Sequence, residues 1–550
     1  MLIFNDMRAM SRLASLDGMQ FDAVVIGGGM AGAGVARDLA LRGASVALFE
    51  KGDFASGTSS KSSKLIHGGL RYLELMDFSL VRESLREKKT LEQLAPHLVR
   101  PLPFLVPVYR GASRGLIMVR IGLWLYDLLT PGKSAERSRL LRPVDALSLE
   151  PGIRPEDLRG AGYYFDDLLL FPERMCLENV LSAARHGARA YNYCEVEEVS
   201  RGRRGPDGVR VRDLLTGHVH AVRASAIVNC AGPWADRLRE LAGMAGARSR
   251  VLRTTKGIHC LLPRMTERAV YLSTRDDRMI FVIPWREFSL VGTTDTDFEG
   301  DPDRLWATRA EVTYLLEEVA KVLPDRRVAL ENVAYTYAGV RPLSFEGAAT
   351  ASRVSREHKV IPEGPDGRFL SVTGTKLTCF RSLAEDVGDR VMRLLGRATP
   401  SRTARLSLDG MDDEAGKIEA RAWMDVSGEM AATGLGRETL ETLVETYGRG
   451  YTRVLELGRK LPDGLERLCP SNPEIVAQLH QAVSEELAVS LQDVLLRRTG
   501  IGQSRCQGLD CAPAIARRMG RLLAWSPRRL DAELEAFYEY VQRSIRFREQ

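Results

Sequence analysis

Between Phe21 and Glu50 the chain carries a pattern that has few structural solutions. The apolar run Asp22-Ala23-Val24-Val25-Ile26 predicts a buried strand. Gly27-Gly28-Gly29-Met30-Ala31-Gly32 follows and satisfies G-x-G-x-x-G. Ala33 to Leu41 reads as a helix closed by Gly43, and Ser45–Phe49 reads as a second strand ending at Glu50. Gly27 permits the tight turn, Gly29 lets the backbone approach a pyrophosphate, and Gly32 lets the helix pack against the strand. The helix N-terminus then offers free N–H groups and a positive dipole end to phosphates. Glu50 lies 18 residues beyond Gly32, where a carboxylate accepts hydrogen bonds from a ribose. A carboxylate there disfavours a 2′-phosphate, so the pattern predicts a Rossmann-like domain for a dinucleotide other than NADP.

That unit occupies a small part of the chain. A length of 550 residues predicts two to four domains. With 44% hydrophobic and 27% charged residues, the composition is globular and argues against a disordered or fibrous protein. The eight cysteines include no CxxC pair, so neither a disulfide scaffold nor a metal site is expected. No apolar run reaches the roughly 18 residues of a membrane span. Residues 1–20 read as an N-terminal extension. They lack a signal peptide's apolar core, and Asp6 and Asp17 suit a transit peptide poorly, so a cytoplasmic protein is expected. Net charge is only +6, and no basic motif interleaved with aromatics points to nucleic acid. Lysines number 12 among 78 basic residues, so a lysine inside a motif stands out.

Further along, Asp77 is a plausible N-cap for a helix over 77–95 that Pro96 stops. Alternating runs such as Met279–Pro284 and Ser289–Thr293 suit an antiparallel sheet. Thr308-Arg309-Ala310-Glu311 reads as a capping box. A polar stretch near 397–415 suggests a linker, and the chain beyond it looks helical. There, Asn472-Pro473 and Ser526-Pro527 read as N-cap and N1 pairs.

FAD and NAD share the glycine fingerprint, and the next segment separates them. Thr58-Ser59-Ser60-Lys61-Ser62-Ser63-Lys64-Leu65-Ile66-His67-Gly68-Gly69-Leu70-Arg71-Tyr72 is a polar, donor-rich run, unusual for an NAD domain. It resembles the signature of FAD-dependent glycerol-3-phosphate dehydrogenases, within the amino-acid-oxidase-like flavoproteins. Further segments resemble that family in order: Ala226–Trp234, Lys256-Gly257-Ile258-His259, Phe281–Trp285, Gly292-Thr293-Thr294-Asp295, Gly339–Leu343, Ser355–His358, Thr373–Thr378 and Asp493–Thr499. The likeness runs from about residue 21 to 540. Thr375 departs from it, replacing a glycine of the last flavin loop. No calcium-loop signature follows residue 400, which fits a bacterial aerobic type.

The resemblance implies an α/β fold: a Rossmann-like FAD-binding domain, an antiparallel β-sheet substrate domain and an all-helical C-terminal domain. The first two would interleave over 21–400, with the substrate part mainly at 95–165 and 245–345, and the helical domain at 401–550. It implies non-covalent FAD held by Gly27, Gly29, Gly32, Glu50, Thr58, Ser59, Ser62, Ser63, Lys64, His67, Ala231, Gly232, Gly374, Lys376, Leu377 and Thr378. Cys379 would carry no flavin link. The implied reaction is oxidation of sn-glycerol 3-phosphate to dihydroxyacetone phosphate, with hydride passing from C2 to flavin N5 and electrons passing on to a membrane quinone.

Such a reaction needs a base for the hydroxyl proton and cations for the phosphate. The resemblance offers Arg71, Arg341 and Arg356 for the phosphate, with Tyr72 beside them. Arginine suits this because its planar fork gives bidentate bonds to phosphate oxygens. His259 and Lys376 are the candidates nearest the reacting carbon, and which of them is the base stays open. Other readings stay open too: an oxidase that uses O2, an FAD-dependent oxidoreductase with another substrate such as an amino acid, and a flavin-binding protein without activity. Electron transfer to quinone implies a peripheral place on the inner face of the cell membrane, with an anionic membrane surface as partner. Residues 115–129 are apolar except Arg120 and Asp127, and the sequence alone favours their burial as a helix. A homodimer also stays open.

Overall fold

The computed structural model describes residues 12–74, 76–130, 137–203, 205–244, 250–276, 278–324, 328–345, 356–374, 376–413 and 426–549. Thr375 and Ser355 lie outside them. Two sheets and a helical C-terminal region organise the chain.

The first sheet is parallel at its centre. Strand Gln20–Ile26 lies between Val46–Phe49 and Val219–Asn229, parallel to both. Phe369–Thr373 extends the sheet beyond Val219–Asn229, and Arg189–Tyr191 extends it beyond Val46–Phe49. Ala23, Val24 and Val25 have no exposed surface, as a central parallel strand covered on both faces requires. Helix Met30–Leu41 crosses one face and packs between helices Pro172–Arg185 and Phe380–Leu394. Gly34 makes this close approach possible: a Cβ there would sit 3.0 Å from the Phe380 ring.

The second sheet is mostly antiparallel. Strand Leu252–Pro263 pairs with Phe288–Gly292 on one side and with Tyr335–Ser344 on the other. Val99–Tyr109 and Leu158–Leu169 form its longest hairpin-like pair at the far end. The Thr308 capping box is present and starts helix Arg309–Ala320. Asp77 caps helix Phe78–Leu94, accepting from the Leu80 N–H at 3.2 Å.

Three sequence expectations change. The stretch read as a linker is pinned to the first domain as far as residue 413. Arg37 donates to the carbonyls of Leu406 and Ser407, and Leu408 has no exposed surface. Arg381 donates to Thr403 Oγ1 and Arg185 pairs with Asp412, so the partners lie on helices distant in sequence, which local polarity could not reveal. Asn472 is not an N-cap, because the following helix begins at Val476 and the Asn472 amide turns toward two cysteines. Ser526, by contrast, does cap Pro527–Ile545, accepting from the Arg529 N–H. The largest change concerns helix Leu116–Leu129. Only Leu123 and Tyr126 are buried, while Ile117 is 77% exposed, Trp124 63% and Leu128 65%. A nearly all-apolar sequence cannot tell a buried helix from one that leaves an apolar face open. Among the described residues, no helix is long and apolar enough to cross a membrane.

The C-terminal helical region packs against the second sheet. Tyr335 donates to the Gln503 carbonyl, and Thr336 to that of Ser544. A buried charge cluster ties the same helices to the dinucleotide half. Asp53 accepts from Arg497 at 2.5 Å and from Arg498 at 2.7 and 2.8 Å. Burial would raise the Asp53 carboxyl, but the two guanidiniums outweigh it and hold it far below the usual carboxylate range.

Candidate active site

A cavity of about 900 Å³ opens between the two sheets. That is at the upper end of ligand pockets, roughly 300–1,000 Å³. One end is the glycine turn and the other is a cluster of arginines.

At the glycine end, Gly27 has φ +105°, and a Cβ on it would lie 2.5 Å from the Cys230 carbonyl oxygen. A Cβ on Gly32 would lie 1.9 Å from the Gly27 oxygen, which is the close packing that glycine secures. Helix Met30–Leu41 presents its N-terminus to the cavity, and its first N–H donates to Ser59 Oγ at 2.9 Å. Glu50 Oε2 accepts from the Gly28 N–H at 2.6 Å, and Oε1 from the Gly52 N–H at 2.8 Å. Burial pushes the Glu50 carboxyl up, against the pull of those two N–H groups. A helix N-terminus, a glycine cradle and a carboxylate at the end of the second strand make the donor and acceptor set of a dinucleotide site.

The polar run 58–72 forms the cavity's middle. Thr58 Oγ1 donates to the Val340 carbonyl, so the run is tied to the second sheet. Ser63 Oγ and His259 Nε2 lie 2.8 Å apart. The His259 ring stacks on Tyr337 at 4.9 Å, and a Cβ on Gly292 would come within 2.5 Å of it. His259 Nδ1 is buried with no hydrogen-bond partner. Burial, with Arg341 and Lys64 nearby, drives its pKa well below 6.5, so the ring is neutral at pH 7.

Lys376 Nζ donates to the His67 carbonyl and to Ser84 Oγ, each at 2.8 Å. It lies 5.1 Å from the Tyr72 ring centroid. Burial pulls its pKa down to about 8. The same burial, with Lys376 beside it, keeps His67 neutral.

At the far end, Arg341 Nη1 donates to Asp295 Oδ1 at 3.1 Å and Nη2 to Thr293 Oγ1 at 2.7 Å. Arg356 Nη2 donates to the other Asp295 oxygen at 3.1 Å. Burial alone would raise the Asp295 carboxyl, yet the two arginines hold it below the usual range. Arg71 and Tyr72 line the same end. Gly257 explains the glycine of K-G-x-H, because a Cβ there would lie 2.3 Å from Arg341 Nη2.

Nearly every residue singled out from the sequence lines this one cavity, including Gly27, Gly29, Glu50, Ser62, Ala231, Gly232, Gly374 and Leu377. Gly32, Lys64 and Thr378 do not. Lys64 turns behind the wall, 3.9 Å from Glu173 and over the Trp285 ring. Thr378 is buried and its hydroxyl pairs with the His67 backbone. Cys379 also stays off the cavity, with its Sγ 3.4 Å from Ser84 Oγ. Sequence reasoning missed Asp295, Thr293, Ser84 and Tyr337. Asp295 and Thr293 sit in a quoted motif and could have been assigned, whereas Ser84 and Tyr337 carry no local signal.

Comparison with known proteins settles the lineage. Residues 22–374 match the model of the FAD dependent oxidoreductase family. Residues 401–530 match the C-terminal domain of alpha-glycerophosphate oxidase. A glycerol-3-phosphate dehydrogenase of Synechocystis is 35% identical, covering 97% of this chain and 99% of its own. An aerobic glycerol-3-phosphate dehydrogenase of Staphylococcus aureus is 33% identical, over 96% of this chain and 94% of its own. The chain belongs to the FAD-dependent glycerol-3-phosphate dehydrogenase family. The solved glycerol-3-phosphate dehydrogenase of Bacillus halodurans, complexed with FAD, superposes with a TM-score of 0.81 at 28% identity, covering 97% of both chains. As a member of this family the protein takes FAD as its cofactor, and the glycine cradle, the helix N-terminus and Glu50 fit that group.

Proposed function

We propose that the protein oxidises sn-glycerol 3-phosphate at C2 to dihydroxyacetone phosphate and delivers the electrons to a membrane quinone. The observation that carries this reading is the arginine cluster around Asp295, at the cavity end opposite the glycine turn. Bound FAD supplies the hydride acceptor, at N5.

The chain's own residues do the rest. Arg71, Arg341 and Arg356 with Asp295 sum to a formal charge of +2. That balances a phosphate monoester carrying about −1.5 to −2 at pH 7. Asp295 holds two guanidiniums in place before substrate arrives, which lowers the ordering cost of binding. His259 lines the cavity and its ring is neutral, so it is the group we assign to take the C2 hydroxyl proton, with Ser63 Oγ hydrogen-bonded to Nε2 holding the ring. Lys376 is a cation below about pH 8 and stabilises negative charge that develops on the substrate oxygen.

The exposed stripe Ile117, Ile121, Trp124 and Leu128 supports the quinone arm of the proposal. These residues recur at i, i+4, i+7 and i+11 and form one apolar face. Such a face, with arginines about it, suits insertion into the headgroup boundary of an anionic leaflet on the inner side of the cell membrane. A second reading, transfer to O2, draws on the match of the C-terminal region to the alpha-glycerophosphate oxidase model.

An anaerobic titration tests the first half. The flavin band should bleach with sn-glycerol 3-phosphate and not with glycerol; a band that stays unchanged with the phosphate ester refutes the substrate. Readmitting air or a soluble quinone then tests the acceptor, and rapid reoxidation by air alone favours the oxidase.

A further inference from the structure

Two turns of the C-terminal helical region bring together side chains far apart in sequence. Cys469 Sγ lies 3.9 Å from Cys506 Sγ, 37 residues on, and 3.6 Å from Asp510 Oδ1. These three ligand atoms all lie within 4.8 Å of one another. A disulfide needs about 2.05 Å between sulfurs, so the two thiols are not bonded. The spacing is instead that of a tetrahedral ion. Bonds of about 2.3 Å to sulfur and about 2.0 Å to oxygen place the sulfurs roughly 3.8 Å apart, and sulfur roughly 3.5 Å from oxygen.

Several donors converge on the candidate ligand atoms. The Asn472 amide donates to both sulfurs at 3.1 Å. The Gly508 N–H donates to Cys506 Sγ at 3.3 Å, from a turn in which Gly508 has φ +74°. Ser471 Oγ donates to the second Asp510 oxygen at 2.7 Å, which orients the first toward the sulfurs. N–H donors on ligating sulfurs and a hydroxyl on a ligating carboxylate are the usual outer supports of a metal site. Cys469 is fully buried and Asp510 is exposed, so the group opens to water on one side. Cys511, whose Sγ is 3.5 Å from the Gly508 carbonyl, or solvent would fill the fourth position.

We propose that Cys469, Cys506 and Asp510 bind a single Zn2+ ion in a structural site apart from the flavin cavity. Binding deprotonates both thiols and releases two protons to solvent; Asp510 binds as its carboxylate, and no oxidation state changes. The ion staples the turn at 469–475 to the turn at 504–511. The second turn follows directly on Arg497 and Arg498, which hold Asp53 beneath the dinucleotide end. The ligands come from two turns rather than one knuckle, so no CxxC spacing announces the site.

Elemental analysis of the full-length flavoprotein, purified without chelator, tests this. About one equivalent of zinc per chain is expected, falling at least tenfold in the Cys469→Ser/Cys506→Ser double variant. Should that variant fail to fold, metal-free wild type titrated with Co2+ should show a thiolate-to-cobalt charge-transfer band that saturates at one equivalent and is displaced by Zn2+. Absence of both zinc and the cobalt band overturns the proposal. So does zinc content unchanged in the double variant, a Cys469–Cys506 disulfide found by peptide mass, or iron with acid-labile sulfide in place of zinc.

Discussion

Replacing Arg341 with Ala tests the proposed phosphate clamp. Within the cavity Arg341 commits one Nη1–H to Asp295, and Nη2 to Thr293 and the Thr294 carbonyl. A guanidinium has five N–H donors, so one Nη1–H and the Nε–H remain for a substrate oxygen. Two charge-assisted hydrogen bonds at about 1.5–3 kcal/mol each set a range of roughly 3–6 kcal/mol. Arg71 and Arg356 stay behind and keep part of the attraction, which favours the lower end. About 3 kcal/mol is roughly a hundredfold in kcat/KM for sn-glycerol 3-phosphate. Glycerol lacks the phosphate, so whatever rate it supports should change little. The assay is flavin bleaching under anaerobic conditions with both alcohols, alongside the flavin content of each preparation. An equal loss with both alcohols at full flavin content would refute the clamp and make Arg341 a structural partner of Asp295. Kinetics unchanged with the phosphate ester would refute it more simply.

Other perturbations probe separate parts of the site. Lys376 with a pKa of about 8 is charged below that value and neutral above it, so kcat/KM should fall as pH rises through about 8. In Lys376→Arg that falling limb should move beyond the measured range; a limb unmoved in the pH profile assigns it elsewhere. Gly32→Ala forces a Cβ to 1.9 Å from the Gly27 oxygen, and the purified protein should lose its flavin absorbance. Asp53→Asn leaves two buried guanidiniums short of a counter-charge, and breaking such a pair costs about 3–5 kcal/mol, read as a lower midpoint in denaturant unfolding. Trp124→Glu should weaken cosedimentation with anionic vesicles while leaving turnover with a soluble quinone unchanged, since Trp124 lies away from the cavity.

Much of this protein was written locally. The strand, glycine turn, helix and acid from Phe21 to Glu50 depend on neighbours within about thirty residues, and hydrophobic period and glycine placement specify them outright. The caps at Asp77, Thr308 and Ser526 were legible for the same reason: a side chain satisfies an N–H three residues away. The candidate residues beyond the glycine turn were legible only as motifs. His259 and Arg341 stand on adjacent strands of one sheet, and Lys376 comes to their cavity from a later loop.

What tertiary structure alone decided is what faces what across long separations. Helix Leu116–Leu129 has the same sequence whether its apolar face is covered or bare, and only packing leaves Trp124 outside. Lys64 sits in the same polar run as Ser63, but a left-handed turn at φ 56° sends it behind the wall. Asp295 pairs with Arg341 and Arg356, Asp53 with Arg497 and Arg498, and Cys469 with Cys506. Each of these pairs joins residues with no shared period or turn. A charge or a thiol announces its partner's chemistry but not its address, because the contact energy is specified by distance in space and the sequence records only distance along the chain.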